Sequence, residues 1–261
     1  MFHIYKILLL FISTIFVFSE TAFVDNLPKC KLADNECMRD LYQSIVRDIG
    51  KTGIADLNIP PIDPMKLKNV SVLVANLLNI TLVDGVVKGI KDCVFDKFTI
   101  NITAERGSQE NICDVTIKGH YNVISTSPFI QSILGGNTIH GDGNGLVKIE
   151  KLHLTFDFPF YAQKRDDGAI YIKCLYKDIN YEYNIKGKTH FAADNLYFGD
   201  QELSEPILAF LNENEKLIMS SFGEPFMKKA IEFYFQFASY FFDNVPAKYF
   251  LIDDLTPYGR P

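Results

Sequence analysis

The feature that most constrains the fold is an alternation of apolar and polar residues that runs from residue 70 to about residue 185. In the segment CDVTIKGHYNV, for example, Val115 and Ile117 are separated by Thr116, and the pattern continues on both sides. Successive side chains of a β-strand point to opposite faces of its sheet, so each such segment is typical of a strand with one apolar and one polar face. Strands of this kind form antiparallel sheets with one face open to water. We therefore predict a long antiparallel meander.

The apolar faces of four segments are the predicted interior of this sheet. The segments are VFDKFTINIT, CDVTIKGHYNV, KLHLTFDF and DINYEYNI, and their apolar faces consist of Phe98, Ile100, Ile102, Cys113, Val115, Ile117, Tyr121, Val123, Leu152, Leu154, Phe156, Phe158, Ile179, Tyr181, Tyr183 and Ile185. Asp167-Gly168 is a strong signal for a hairpin turn, and the glycine-rich stretch GGNTIHGDGNG at 135–145 predicts a second turn.

Helices are predicted before and after the strands. The segment NECMRDLYQSIVRDIG has the apolar spacing of an amphipathic helix, which Gly50 is expected to end. After Gly199 the helical spacing returns and continues to about Asp243, with a kink expected near Pro225. A helix of about forty residues would be roughly 60 Å long. The sequence thus predicts an α+β fold in which a long C-terminal helix covers an antiparallel sheet.

Seven of the ten residues in FYFQFASYFF, at 233–242, are aromatic. Such a run can enter a membrane, fill a core or line a pocket for an apolar ligand. It has about half of the ~20 residues that a membrane span needs, and Lys229 and Asp243 flank it closely, so the first option is excluded. Apolar residues cover almost the whole circumference of the helix here, which indicates that other elements surround it. Periodicity alone favours a packed core over a pocket.

The N-terminus has the layout of a secretory signal peptide. One lysine precedes an apolar run at 7–18, and small residues follow, so we predict a signal peptide at 1–19 with cleavage after Ser19 or Ala22. The alternative, a membrane anchor, needs a longer apolar run. N-glycosylation acceptor tripeptides at Asn69, Asn79 and Asn101 also favour a secreted, extracellular protein.

The five cysteines indicate an oxidising compartment. Cys30 and Cys37 have a spacing that suits a small disulfide loop. Cys93, Cys113 and Cys174 form an odd set, so at least one of them is unpaired or pairs between chains. Without a C-x2-C motif or a nearby histidine pair, no metal site is predicted.

Composition and motifs exclude several functions. The net charge of -6 and the lack of a Lys/Arg cluster argue against nucleic-acid binding. The motifs G-x-S-x-G, H-E-x-x-H, G-x-G-x-x-G and the P-loop are absent, so no catalytic or cofactor site is predicted. His120 and His153 fall on polar strand faces, His140 falls in the predicted turn, and His190 precedes the long helix without an adjacent catalytic partner.

Six motifs in a fixed order resemble the insect takeout and juvenile-hormone-binding protein family. They are LPKC-x6-C at 27–37, GIADLNIPPIDPMKLKNVSV at 53–72, VDGVVKGIKDCVFDKF at 83–98, KGHYNV at 118–123, THFAADNLYFGDQELSEPILAFLNENEKLI at 189–218 and NVPAKYF at 244–250. The resemblance therefore spans a single domain at 27–252 and leaves a C-terminal tail at 253–261.

The resemblance implies an α/β-wrap fold, in which a highly curved antiparallel sheet is wrapped around the long C-terminal helix. It also implies an elongated apolar tunnel for a small lipophilic ligand, a Cys30–Cys37 disulfide, and neither catalysis, cofactor nor metal. With this added, a tunnel is favoured over a filled core, and a monomer without stable membrane insertion is expected. The predicted tunnel lining comprises Phe98, Ile100, Val115, Ile117, Tyr121, Leu154, Phe156, Tyr181, Tyr183, Leu211, Ile218, Phe222, Phe226 and Ile231.

Three functions stay open at this point. The first is a secreted carrier of a small lipid such as a terpenoid hormone, an odorant or a fatty acid. The second is a secreted protein-interaction module with a filled interior, and the third, less favoured, is a lipid hydrolase. Tyr121, Tyr181 and Tyr183 are either hydrogen-bond donors to a ligand or satisfied core tyrosines. Glu215 replaces the tryptophan that is usual in the family, and it is expected on a solvated helix face.

Overall fold

The computed structural model describes residues 23–125, 128, 132 and 136–261. The predicted signal peptide lies outside these residues. Among the described residues, no helix is both long and apolar enough to cross a bilayer.

Between the undescribed positions, the main elements of the described chain are, in order, one α-helix, ten strands and three consecutive α-helices. The first helix is α1, Asn35–Thr52. The strands are β1 Met65–Val74, β2 Leu78–Lys88, β3 Val94–Asn101, β4 Arg106–Ser125, β5 Ile139–Lys164, β6 Ile170–Cys174, β7 Asn180–Ile185, β8 Thr189–Ala193, β9 Leu196–Phe198 and β10 Gln201–Glu202. The last helices are α2 Ser204–Glu213, α3 Glu215–Phe222 and α4 Glu224–Asn244.

The described strands form one ten-stranded sheet that is not closed and in which neighbouring strands are antiparallel. The main path is β1-β2-β4-β5-β9-β10, with β3 on β4 and with β6, β7 and β8 along the 26-residue strand β5. Helix α4 contacts both β1 and β6. The predicted α+β fold, with C-terminal helices on a large antiparallel sheet, is confirmed.

Helix α1 begins at a side-chain cap and ends at a glycine. The Asp34 carboxylate accepts a hydrogen bond from the backbone N–H of Cys37 at 3.0 Å. The helix does not end at Gly50, as predicted, but continues to Thr52. Gly50 is a packing position, because a Cβ there would lie 2.6 Å from Cβ of Lys91. The helix ends at Gly53, whose φ of 67° is in the left-handed region.

The glycine-rich stretch that was predicted to be a turn is largely strand. Residues 139–145 begin β5, and the turn prediction is wrong for them. The glycines make room for Tyr121 on the neighbouring strand: a Cβ on Gly141 would lie 3.0 Å from its hydroxyl oxygen, and one on Gly145 would lie 3.2 Å from its ring. The predicted hairpin at Asp167-Gly168 joins β5 to β6 and is confirmed.

Glycines and β-bulges mark the places where this sheet can bend. Gly85, Gly119 and Gly145 are cross-strand partners on β2, β4 and β5, so this row carries no side chains. The register shifts between Cys113 and Val115, and other shifts occur in β2 and β3. Bulges and glycines are the usual devices by which a sheet bends.

The C-terminal helical region is interrupted twice, whereas the sequence predicted one helix with one kink. The expected break near Pro225 is present, and the proline occupies the first turn of α4. A second break occurs at Asn214, whose side-chain amide donates to the carbonyl of Phe210 at 2.9 Å. The C-terminal helical region therefore consists of three segments.

The aromatic run lies in a packed core. Phe235, Phe237, Phe241 and Phe242 are buried together with α1, β3 and the second half of β5. The Phe156 and Phe235 rings meet edge-on with centroids 5.1 Å apart. For this part of the helix, the prediction from periodicity alone is the correct one.

Both disulfides lie in or beside the packed core. The predicted Cys30–Cys37 pair is present, and a second disulfide joins Cys93 to Cys113. Cys174 is the free, buried cysteine that the odd count required. Burial raises the pKa of the Cys174 thiol to about 12.

Because of this burial, we expect the Cys174 thiol to resist alkylation by iodoacetamide at about pH 8 in the folded protein. After denaturation without reduction, one thiol per chain should react, because the other four cysteines are paired. Intact-mass spectrometry counts the added groups. Rapid labelling of the native protein would contradict the buried position.

Candidate ligand-binding interior

The inner face of the sheet divides into two regions that differ in packing. We call the region of α1, residues 93–113, residues 156–174 and α4 from Ile231 onward the packed half. We call the region of β1, β2, residues 115–125, residues 139–149, β8, α2 and α3 the open half. In the packed half the inner side chains are buried in one large aromatic cluster.

In the open half, buried apolar packing is sparse. Its buried cluster consists of Ile149, Leu152, Met219 and Met227. Tyr121 and Val123 are also buried, but many inner side chains are only half-buried, namely Ile80, Leu82, Val115, Ile117, Val147 and Phe191. Apolar side chains that keep exposed area are not enclosed by packed protein atoms on all sides.

The residues predicted to line a tunnel fall into both halves. Phe98, Ile100, Phe156 and Ile231 are buried in the packed half. Half-buried positions are Val115, Ile117, Leu154, Tyr181, Tyr183, Leu211 and Ile218. Val115 and Leu154 contact both clusters, so they mark the boundary between the halves. Phe222 and Phe226 are 40% and 38% exposed, on either side of the junction between α3 and α4.

The three tyrosines considered as ligand donors bond to the chain itself. The Tyr121 hydroxyl donates to the Asp194 carbonyl at 2.6 Å, and burial raises its pKa to about 12. The Tyr181 hydroxyl donates to the Glu224 carboxylate, and burial together with this bond raises its pKa. The Tyr183 hydroxyl donates to the Met219 carbonyl at 3.4 Å. These three hydroxyls therefore join the strands to neighbouring segments of the chain.

An open cleft of about 620 Å³ lies between β7 and the first turn of α4. Ile179, Tyr181, Tyr183 and Glu224 are among its lining residues. Within the described sheet, β7 pairs only with β5, so its other edge has no strand beside it. The hydrogen bond between Tyr181 and Glu224 joins β7 to α4 at this cleft. A second open cleft, of about 630 Å³, lies over the row of glycines in β2, β4 and β5.

Helices α2 and α3 are tied to the edge of β8 by two side chains. The Asn212 amide accepts from the Phe191 N–H at 2.8 Å and donates to the Phe191 carbonyl at 2.9 Å. Glu215 Oε2 accepts from the Thr189 N–H at 2.7 Å. The expectation of a solvated Glu215 is therefore wrong: the residue is half-buried and completes the hydrogen bonding of a strand edge.

A buried polar network lies within the packed half. Gln109 Nε2 donates to Asn111 Oδ1 at 2.8 Å and to the Tyr234 hydroxyl at 2.9 Å, and the Tyr42 hydroxyl lies 2.9 Å from that of Tyr234. Burial raises the pKa of Tyr234 to about 12. Sequence analysis missed Gln109 and Asn111, although both share the strand parity of Cys113 and are therefore polar residues at inner positions.

Two buried hydroxyls on the inner face have no hydrogen-bond partner within the described chain, Ser125 Oγ and Thr189 Oγ1. Ser125 ends β4, and Thr189 begins β8. Folded proteins usually pair such groups, because a buried hydroxyl without a partner is costly.

The four histidines of the described chain lie away from this interior. His153 Nε2 is 2.7 Å from Glu110 Oε1, and with Asp96 they form a group of possible metal ligands on the outer face. His120 pairs with Asp142 at 2.8 Å. His140 lies in β5 and not in a turn, and the exposed His190 lies in β8.

Comparison with known proteins agrees with this architecture. Residues 7–252 match the family model described as haemolymph juvenile hormone binding protein. Among solved structures, the crystal structure of Takeout 1 from Epiphyas postvittana is similar to this chain, with 25% sequence identity and a TM-score of 0.74. The similarity covers 86% of this chain and 99% of that chain. A comparison with curated proteins found no match.

Proposed function

The chain belongs to the haemolymph juvenile hormone binding protein family, and from this premise we propose that it is a secreted, non-catalytic carrier of a small apolar molecule. The observation that carries the proposal is the contrast between the two halves of the interior. The packed half is filled by the chain's own aromatic rings, whereas the open half presents half-buried apolar side chains on the same inner face. Such a lining is what an apolar guest needs.

We assign the ligand to the open half. Val115, Ile117, Leu154, Tyr183, Leu211 and Ile218 are its lining, and the packed half forms its inner end. The cleft beside Glu224 is the assigned opening, because it lies between α4 and a strand that pairs on one side only within the described sheet. Phe222 and Phe226, which are partly exposed, flank this opening in sequence.

Secretion is supported by covalent features of the chain. Two disulfides are typical of an oxidising compartment. Of the three acceptor asparagines, Asn69 and Asn101 are exposed and Asn79 is half-buried. We therefore expect glycans on Asn69 and Asn101 in particular.

The expected affinity follows from the apolar area that a ligand buries. A guest of about fifteen carbons, at ~0.8 kcal/mol per methylene, gains roughly 12 kcal/mol before the costs of association. After those costs, micromolar to high-nanomolar dissociation constants are expected.

Native mass spectrometry tests the proposal directly. Protein that is secreted from cultured cells and incubated with N-phenyl-1-naphthylamine should carry one probe or one co-purified lipid per chain. A spectrum that shows only polypeptide and glycans, before and after incubation, would instead support the interaction module with a filled interior.

Filling the open half should weaken ligand binding while the fold persists. Ile117→Trp places a large ring among the half-buried side chains, and we expect affinity for N-phenyl-1-naphthylamine to fall by about tenfold or more. Lys118→Trp is the matched control, because the adjacent Lys118 is exposed on the outer face. Fluorescence titration measures the affinities, and thermal unfolding checks both folds. Equal binding by the two variants would place the ligand elsewhere.

A further inference from the structure

We propose that the hydroxyl of Thr189 binds the oxygen-bearing end of the carried molecule, and that this end is neutral, such as an ester, a ketone or an alcohol. The inference rests on the proposed carrier function and specifies its ligand class. It follows from the position of Thr189, from the partners of the other inner polar groups and from the charge beside it.

Thr189 has a buried hydroxyl that faces the interior. It is the cross-strand partner of Ile149, which belongs to the small buried cluster, so both side chains lie on the inner face. The residue is 4% exposed, and its Oγ1 has no hydrogen-bond partner among the described residues. A buried hydroxyl of this kind destabilises the folded chain unless another molecule binds it.

The other polar groups of the inner face are already engaged or lie at its end. Gln109 and Asn111 bond to each other and to Tyr234, and the Tyr121 hydroxyl donates to a backbone carbonyl. Ser125 also lacks a partner, but it is the last residue of β4, beside residues outside the described part of the chain. Thr189 is therefore the inner hydroxyl that is best placed to bind a guest.

The surroundings of Thr189 are apolar. Ile149 is opposite, and Phe191, two residues along the same strand face, packs on the same cluster as Val147. A single hydroxyl within such a lining recognises an apolar molecule by one oxygen atom. A hydroxyl can both donate and accept, so carbonyl oxygens and alcohols fit equally.

The charge beside Thr189 selects against anions. Glu215 Oε2 accepts from the backbone N–H of the same residue at 2.7 Å. Within the described chain, no lysine or arginine forms an ion pair with Glu215. A fatty-acid carboxylate bound to the Thr189 hydroxyl would lie close to this negative charge, and like charges in a partly buried site repel strongly. A neutral oxygen function avoids the repulsion.

Thr189→Val tests the role of the hydroxyl, because valine has the same shape. Displacement of N-phenyl-1-naphthylamine by 2-pentadecanone and by pentadecane measures the preference for an oxygen. We expect the wild-type protein to prefer the ketone by roughly 3- to 10-fold and the variant to lose this preference, with pentadecane binding unchanged. The ligand-free variant should also melt about 2–4 °C higher, because an unpaired buried hydroxyl is removed.

Glu215→Gln tests the charge. Glutamine keeps an oxygen that accepts from the Thr189 N–H but carries no charge, so tetradecanoate should bind several-fold more tightly while methyl tetradecanoate is unaffected. If neither variant changes these ratios, the assignment to Thr189 is overturned and the carrier function stands. If the wild-type protein binds none of the probes, the carrier function itself fails.

Discussion

Replacing Phe156 with alanine is expected to lower the free energy of unfolding by about 3–5 kcal/mol. Phe156 is 1% exposed, and its ring packs against Tyr234 and Phe235 at centroid distances of 5.8 Å and 5.1 Å. Removal of the ring leaves a cavity that these neighbours cannot fill, because they are held by α4 and by the polar network.

The matched control for this variant is Phe191→Ala. Phe191 also lies on the inner face, but in the open half, where it is half-buried. Removal of the Phe191 ring should lower the free energy of unfolding by about 1–2 kcal/mol, because less buried apolar area is lost and no closed cavity forms. Urea unfolding of both variants gives the two values. Equal losses would mean that the interior is packed uniformly, which would contradict the division into two halves.

Removal of the Cys93–Cys113 disulfide, with both residues replaced by alanine, is expected to lower the free energy of unfolding by about 3 kcal/mol. The bond closes a loop across β3 and the start of β4, with a sequence separation of 20. Without it, the unfolded chain gains the conformational freedom of that loop. Both cysteines are buried in the packed half, so small cavities add to the loss.

Cys174→Ala is the control for the disulfide variant. It removes a buried thiol from the same cluster but leaves both disulfides intact. We expect the free energy of unfolding to fall by about 1 kcal/mol, as is typical when one small buried apolar group is removed. Guanidinium unfolding measures the stabilities, and intact mass after alkylation confirms which cysteines are paired. A loss as large as that of the double variant would show that packing, and not the cross-link, is responsible.

The inner and outer faces of the strands could be predicted from the sequence because strand parity is a local property. Cys113, Val115 and Ile117 lie inside as their alternation required. The same parity also places Gln109 and Asn111 inside. The role of a polar inner residue, however, can be inferred only when its hydrogen-bond partners are known. Those partners, Tyr234 above all, come from a helix more than a hundred residues away.

The errors have a common physical origin. The glycines at 141–145 are residues typical of a turn, yet they lie in β5, where Tyr121 takes up the space beside Gly141 and Gly145, and Asp194 takes up the space beside Gly143. Glycine is typical of a helix end, yet α1 continues past Gly50, which packs closely against Lys91. In both cases a neighbour that is distant in sequence overrides a local preference.

By itself, the sequence determined the one-sided antiparallel sheet, the flanking helices, the first disulfide and the family. Each depends on periodicity, spacing or short motifs that are read along the chain. Only the tertiary structure decided that Cys93 pairs with Cys113, that the inner side chains are fully buried at one end and many are half-buried at the other, and that Thr189 and Glu215 meet at a strand edge. These features depend on which side chains, distant in sequence, come into contact in the folded chain. The alternation of apolar and polar residues along a strand does not specify those contacts.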